Sequence, residues 1–421
     1  MGSSTLHGLD VAALERAVDG AGEVREAGHE DAVDGVPARV VARPTTVGGV
    51  SALLREAAVQ GLATVPRGGG TALRWSAPPA RVDVLLDTTG LDRLVEHEAG
   101  DLVVVAQAGL PVAELADRVG VAGQELVLDL PPDRVAGGST IGGALSVGYT
   151  GPRRLQRLAL RDRVLGATVV LADGTVTASG GKVVKNVAGY DVAKLVTGAY
   201  GTLGVVVQAA FRLHPVRPAR AFVVRSGPLS DVAAAARAVV ASQLAPAAVE
   251  LDRRAGEDVA TVAALFEGGH GAVATRAAAA AALVGGEVGG VAPDWWGQVP
   301  TGPVTAKATA TLAGVGRLLA AARAAERESG ATVAVRGSAM GALLVGMDGP
   351  DPAAIAAAVA RLRAASPTVG DGSVTVLAAP PGVRDGLDVW GPVPGLELMR
   401  SVKARLDPGR LLAPGRFVGG I

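Results

Sequence analysis

Glycine density between residues 137 and 207 constrains this chain more than any other feature. Gly137-Gly138-Ser139-Thr140-Ile141-Gly142-Gly143 opens the stretch, and Gly198, Gly201 and Gly204 close it. Between them, Val164 to Leu171 reads as a strand that ends in a turn at Ala172-Asp173-Gly174-Thr175. Glycine leaves backbone N–H groups uncovered and permits positive φ, so such loops can wrap a ligand at close range. A phosphate-bearing cofactor is the ligand that suits them. The chain has 59 glycines, however, and many serve only as turns. Neither cluster has the G-x-G-x-x-G spacing of a strand-to-helix dinucleotide site. These two clusters alone leave structural and binding roles open.

An earlier segment narrows the choice. A strand at 38–42 leads through Thr46, an N-cap candidate, into a helix over Val47 to Gln60 that Gly61 ends. The helix carries Val50, Leu53, Leu54 and Ala57 on one face. Next comes Ala63-Thr64-Val65-Pro66-Arg67-Gly68-Gly69-Gly70-Thr71, a short strand that runs directly into a glycine loop. With Thr140-Ile141-Gly142-Gly143 and Gly201-Thr202-Leu203-Gly204-Val205-Val206, it resembles the FAD-binding domain of the vanillyl-alcohol oxidase and p-cresol methylhydroxylase (PCMH-type) superfamily.

The resemblance implies an α+β protein. Its PCMH-type FAD-binding domain would cover 1–218, as two α/β subdomains at about 36–130 and 131–218. A cap domain at 219–385 would place helices on one face of an antiparallel sheet, and 386–421 would return to the flavin domain. The implied FAD contacts are Arg67, Gly68, Gly69, Gly70, Thr71, Ala72, Pro131, Gly138, Ser139, Thr140, Gly142, Gly143, Ser146, Asp162, Gly201, Thr202, Gly204, Val205 and Val206. Covalent members attach flavin through histidine or cysteine. The three segments hold neither, so non-covalent FAD is expected.

The cap boundary follows His214-Pro215-Val216-Arg217-Pro218. Beyond it, strand-like pieces at 221–225, 247–251 and 261–266 alternate with alanine-rich helices at 230–242 and 271–284. A second round follows at 305–311, 314–329, 331–336, 342–347, 352–364 and 373–377. That order reads as two β-α-β-β-α halves.

Composition bounds the function. Basic and acidic residues balance at 40 each, so no charge excess points to nucleic acid or an anionic membrane surface. The chain has no cysteine, hence no disulfide and no cysteine-ligated iron–sulfur cluster of its own. No signal peptide is apparent at residues 1–7. The alanine-rich run at 277–284 is far short of the ~20 residues that span a bilayer.

Two further features favour one branch of the superfamily. The polar insertion Gly180-Gly181-Lys182-Val183-Val184-Lys185-Asn186-Val187-Ala188-Gly189-Tyr190-Asp191 interrupts an apolar stretch. With Gly151-Pro152-Arg153-Arg154 and Leu160-Arg161-Asp162-Arg163-Val164-Leu165-Gly166, it resembles the FAD-binding E subunit of bacterial glycolate oxidase. The second feature is the histidines: His7, His29, His97, His214 and His270 are scattered, with no metal-ligand spacing. No metal site and no catalytic base are nominated. Arg336 and Lys307 are candidates to hold a carboxylate, with surface ion pairing the plainer role for each.

The resemblance implies a cytoplasmic flavoprotein subunit, reaching the inner face of the membrane only through its partners. Those partners are a second glycolate oxidase flavoprotein subunit and an iron–sulfur subunit, and the small-molecule substrate is a 2-hydroxy acid. A free-standing FAD oxidoreductase and a non-catalytic, FAD-stabilised scaffold are the alternatives.

Overall fold

The computed structural model describes the chain except residues 1–4, 7, 19, 21, 182–189 and 366–370. Lys182 and Lys185 of the polar insertion therefore lie outside the described residues. The chain forms two compact units. The first comprises 1–149, 159–216 and 395–421, and the second 150–158 and 217–394. The boundary anticipated at 218 falls at 216/217, and the tail rejoins the first unit at 395 rather than 386. Residues 150–158, expected with the flavin domain, pack instead in the second unit.

Among the described residues, the first unit holds a four-stranded and a five-stranded sheet besides two two-stranded pairs. Strands β1 (Gly22–Glu26), β2 (Val40–Pro44), β3 (Thr64–Arg67) and β4 (Val84–Asp87) form the four-stranded one, in the order β1-β2-β4-β3. β2 and β3 both pair parallel with β4, and helix α1 (Val47–Gln60) makes the crossover. Its caps follow the sequence signals. The Thr46 hydroxyl accepts from Gly49 N at 3.0 Å, and Gly61 closes the helix at φ 67°. Val50, Leu53, Leu54 and Ala57 are buried against Val40, Ala42, Val84 and Leu86.

The second sheet of this unit is antiparallel. It contains β5 (Leu94–Glu98), β6 (Val103–Gln107), β7 (Val164–Val170), β8 (Val176–Gly180) and β9 (Val205–Arg212), in the order β8-β7-β9-β6-β5. α2 (Val112–Gly120), α3 (Pro132–Ala136) and α4 (Ile141–Val147) lie between β6 and β7 in the chain. Ile141 and Leu145 of α4 join Ala106, Leu115, Val206 and Phe211 in one core. Glu96, His97 and Glu98 mask the alternation of β5 in the sequence.

In the second unit, β10 (Ala219–Pro228), α5 (Leu229–Ala241), β11 (Ala248–Arg253), β12 (Val259–Gly268), α6 (His270–Val284) and β13 (Glu287–Gly289) make one half. β14 (Val304–Ala310), α7 (Val315–Ser329), β15 (Thr332–Ser338), β16 (Ala342–Asp348), α8 (Pro352–Arg363) and β17 (Gly372–Ala378) make the other. The eight strands run β13-β10-β12-β11-β15-β16-β14-β17. Exchanging the halves reproduces that order, so the unit has internal two-fold topology about the β11–β15 seam. The first half therefore has a sixth element, the closing strand β13, beyond the five read from sequence, whereas the second half's closing strand β17 was read at 373–377.

The four helices share one core with Val249, Leu251, Ala306, Ala308, Val333, Val335, Leu343 and Val345. Alternate residues face the other side. There Phe222, Ala248 and Leu265 pack with Trp296, whose ring meets Phe222 edge-on at 5.1 Å. Trp295 is buried and Trp296 half-buried, and both pack within this unit.

The tail returns to the first unit as a helix, Leu396–Leu406. Leu411 to Ala413 then run beside β3. Thr64 N donates to Leu411 O at 2.7 Å and Ala413 N to Thr64 O at 2.9 Å, extending the parallel edge. Among the described residues, no helix is long and apolar enough to cross a membrane.

Candidate flavin site

The three glycine segments meet within the first unit. Gly68 to Ala72 follow β3, Ser139 to Ser146 run into α4, and Tyr200-Gly201 precede β9. Together they border a cleft. Of the residues expected at FAD, Arg67, Gly68, Gly69, Gly70, Thr71, Ala72, Pro131, Ser139, Thr140, Gly142, Gly143, Ser146, Gly201, Val205 and Val206 line it.

Four do not line it. Gly138 backs the glycine loop at φ 85°. Thr202 is fully buried and turns its hydroxyl back to Ala199 O at 2.7 Å. Gly204 faces β7, where a Cβ would lie 2.5 Å from Val169 Cγ1. The Asp162 carboxylate caps its own short helix, accepting from Ala159 N at 3.3 Å.

Close approach explains the glycines more directly than ligand wrapping alone. A Cβ on Gly69 would overlap the Gly138 carbonyl, and one on Gly68 would overlap the Thr140 hydroxyl. At Gly142, a Cβ would stand 2.7 Å from Ala108 Cβ. Gly201 combines φ 75° with Pro66 Cγ at 2.5 Å from a built Cβ. Absent side chains thus let three segments nest against one another around the cleft.

The amides of the first glycine loop are available. Among the described residues, the N–H groups of Gly69, Gly70 and Thr71 donate to no protein atom. Undonated amides in succession form an anion-binding concavity. Arg134, on α3, reinforces it: Nη1 donates to Thr71 O at 2.6 Å, its guanidinium lies 3.8 Å from the Trp75 ring centre, and Nε has no partner. Arg416 from the tail donates to Leu73 O at 2.8 Å and Trp75 O at 3.1 Å. The two arginines thus occupy the carbonyls of Thr71, Leu73 and Trp75. An anionic pyrophosphate fits this donor set.

Arg67 acts from behind. Its guanidinium donates to Asp31 at 2.9 Å and to Asp87 at 3.0 Å, so it braces the end of β3. Tyr200 sits at φ 53°, where a non-glycine residue is strained. Its N–H donates to Ser146 O at 2.8 Å, tying the third segment to α4. Burial pushes its phenol up to about 12, against the opposing charges of Arg416 and Arg134, so it stays protonated.

Sequence reasoning missed Trp75, Arg134, Tyr149, Tyr200 and Arg416, all at the cleft. Arg134 and Tyr200 had a signal, since each neighbours a segment already singled out. Trp75 had none, and Arg416 had only the expected return of the tail to the flavin domain. Their contact joins positions 341 residues apart.

Residues 38–180 match the family model described as FAD binding domain. The chain is 35% identical over 176 residues to D-lactate dehydrogenase of Archaeoglobus fulgidus, covering 42% of this chain and 39% of that protein. It is 35% identical over 122 residues to glycolate oxidase subunit GlcE of Escherichia coli, covering 29% and 34% respectively. The chain thus spans less than half the length of either relative. Among solved structures, p-cresol methylhydroxylase with substrate bound superposes with a TM-score of 0.70 at 14% identity, over 96% of this chain and 95% of that one. That likeness shows the fold. Residues 38–180 thus match the FAD binding domain model, the chain has the PCMH-type fold, and FAD is its cofactor.

Proposed function

We propose that this chain is an FAD-dependent oxidoreductase of the 2-hydroxy-acid kind, and more finely the FAD-binding subunit of a glycolate oxidase complex. The observation that carries the reading is the cleft, where the amides of Gly69, Gly70 and Thr71, inside the matched residues 38–180, donate to no described residue. FAD, when bound, supplies the two-electron acceptor that oxidation of an alcohol carbon requires. This chain's share is to hold the anionic cofactor with Gly69, Gly70, Thr71 and Arg134, and to exclude water with Trp75, Tyr149 and Tyr200.

The finer assignment is supported by likeness to the glycolate oxidase subunit and by the composition. A chain without cysteine carries no cysteine-ligated cluster, so a relay of that kind sits on a partner. In this reading the partners are a second flavoprotein subunit and an iron–sulfur subunit, and the complex converts glycolate to glyoxylate. A second reading, a free-standing 2-hydroxy-acid dehydrogenase, draws on the longer match to D-lactate dehydrogenase.

Steady-state dye reduction separates the two readings. The FAD-loaded chain is assayed with glycolate and with D-lactate, alone and with the proteins that copurify from its host. Turnover that needs the copurifying proteins supports the subunit reading. Comparable turnover by the chain alone supports the free-standing enzyme. No reduction by either acid in any combination overturns both.

A further inference from the structure

Tyr200 stands where its residue type is costly. Thr202 N donates to Ala199 O at 3.0 Å, which closes a tight turn just before β9. Both central residues have positive φ, 53° at Tyr200 and 75° at Gly201, as in a type I′ turn. Glycine, asparagine and aspartate dominate such positions, and a bulky aromatic is strained there. Gly201 is explained by the approach of Pro66. Nothing in the turn itself calls for a tyrosine beside it. Strain kept at one residue points to the side chain that it holds.

That side chain is at the cleft. Tyr149 and Tyr200, two of the chain's three tyrosines, line it. The Tyr200 ring rests against Phe417 of the tail, with ring centres 6.0 Å apart and planes inclined at 39°. Its N–H is held by Ser146 O on α4 at 2.8 Å. Backbone and ring are thus fixed by the first unit alone. The hydroxyl is not: among the described residues it has no hydrogen-bond partner. A half-buried phenol left so has lost water and gained nothing from the fold in return.

The same cleft is lined by Arg134 and by Arg416, the residue before Phe417. Their charges favour an ionised phenol, but burial outweighs both, so the O–H donor is retained. A neutral donor in company with two cations suits an anionic oxygen. The undonated amides of Gly69, Gly70 and Thr71, in that same cleft, call for one as well.

We propose that Tyr200 is an FAD-binding residue whose hydroxyl donates to the pyrophosphate received by the glycine-loop amides, with the strained turn and Phe417 holding the ring in place beforehand. The assignment rests on FAD as the cofactor and not on the hydroxy-acid reading above.

The test uses the full FAD-loaded chain and follows flavin release on dilution through the recovery of flavin fluorescence. Tyr200→Phe keeps the ring and removes only the hydroxyl. Release is expected to be at least threefold faster, as for the loss of one hydrogen bond. The visible absorption band of the bound flavin should stay where it is, because the pyrophosphate is not conjugated with the isoalloxazine. Tyr200→Asn suits the turn but gives up both ring and hydroxyl. It should release flavin at least tenfold faster, with circular dichroism showing a folded chain. Wild-type release from Tyr200→Phe overturns the assignment. Faster release with a shifted absorption band means that the hydroxyl acts on the isoalloxazine or on the packing of the cleft, and overturns the pyrophosphate contact. Turnover of glycolate or D-lactate enters neither readout, so the hydroxy-acid reading can fail while the Tyr200 assignment stands.

Discussion

Lys403 and Asp407, one turn apart at the end of the C-terminal helix, form an ion pair at 2.7 Å with both side chains almost fully buried. The Lys403 ammonium also donates to Thr202 O at 2.7 Å and Leu412 O at 2.9 Å. Asp407 in turn accepts from the amides of Leu411 and Leu412 at 3.0 and 2.8 Å. The pair thus fastens the tail to the turn before β9 and to the edge of β3. Lys403→Met strands Asp407 as an uncompensated buried charge, an expected loss of about 3–5 kcal/mol. Urea denaturation should show the lowered midpoint, and limited proteolysis should clip the tail first. An unchanged midpoint would show that the tail is held by other contacts.

Acid should loosen the support of the glycine loop. Asp31 accepts from Arg25 at 2.7 and 3.0 Å, from Gly28 N at 2.9 Å and from Arg67 at 2.9 Å. Chiefly through Arg25, its carboxyl is held well below the usual carboxylate range. A depressed carboxyl stabilises the folded state above its unfolded pKa, and that stability drains away as pH falls toward the folded value. Unfolding free energy is therefore expected to be flat down to about pH 4, the ordinary aspartate value, and to decline below it. Asp31→Asn should cost on the order of 3 kcal/mol at about pH 7 and flatten the acid limb. A wild-type acid limb retained in Asp31→Asn would count against this assignment.

Neighbouring glycines should differ in their effect on flavin. At Gly69 even a methyl group collides with the Gly138 carbonyl, so Gly69→Ala has to push the glycine loop away from the segment that leads into α4. Flavin occupancy after purification is expected to fall at least tenfold, and Gly69→Val should be worse. At Gly70 the nearest atom to a built Cβ is Leu73 Cδ1 at 3.8 Å, and only φ 74° opposes a side chain. Gly70→Ala should cost about 1 kcal/mol and keep most of its flavin. Equal occupancy in the two variants would mean that the loop does not abut the cofactor as described.

The flavin should come off intact. The cleft lining contains neither histidine nor cysteine, the residues through which covalent relatives attach it. Acid precipitation is expected to leave all yellow colour in the supernatant. In-gel flavin fluorescence on the denatured protein band would be the contrary result.

Clamping the loop carbonyls should matter as much as baring the amides. Arg134→Leu frees Thr71 O and uncovers Trp75. FAD affinity, followed by quenching of flavin fluorescence, is expected to weaken about tenfold while the unfolding midpoint moves little. Unchanged affinity would reduce Arg134 to a packing residue.

Much of the fold was legible in the sequence because its signals are local. Helix α1 announces both ends, through Thr46 and Gly61, and its apolar spacing survives into the core. The strands and helices of the second unit fall within a few residues of their expected limits, since each buries one regular face. By contrast, β5 and β8 are edge strands with little buried area, and α4 is built from residues that glycine made look like loop.

What the sequence by itself determined is the set of segments, their order and the flavin they imply, because turn chemistry, periodicity and glycine loops act over a few residues. What only the tertiary structure decided is who stands beside whom. Arg416 reaches Leu73 from 343 residues away, and Lys403 grips Thr202 across 201. Arg336 is spoken for by Asp252. Such pairings depend on chain closure and on which faces the cores leave outward, and no local pattern records either.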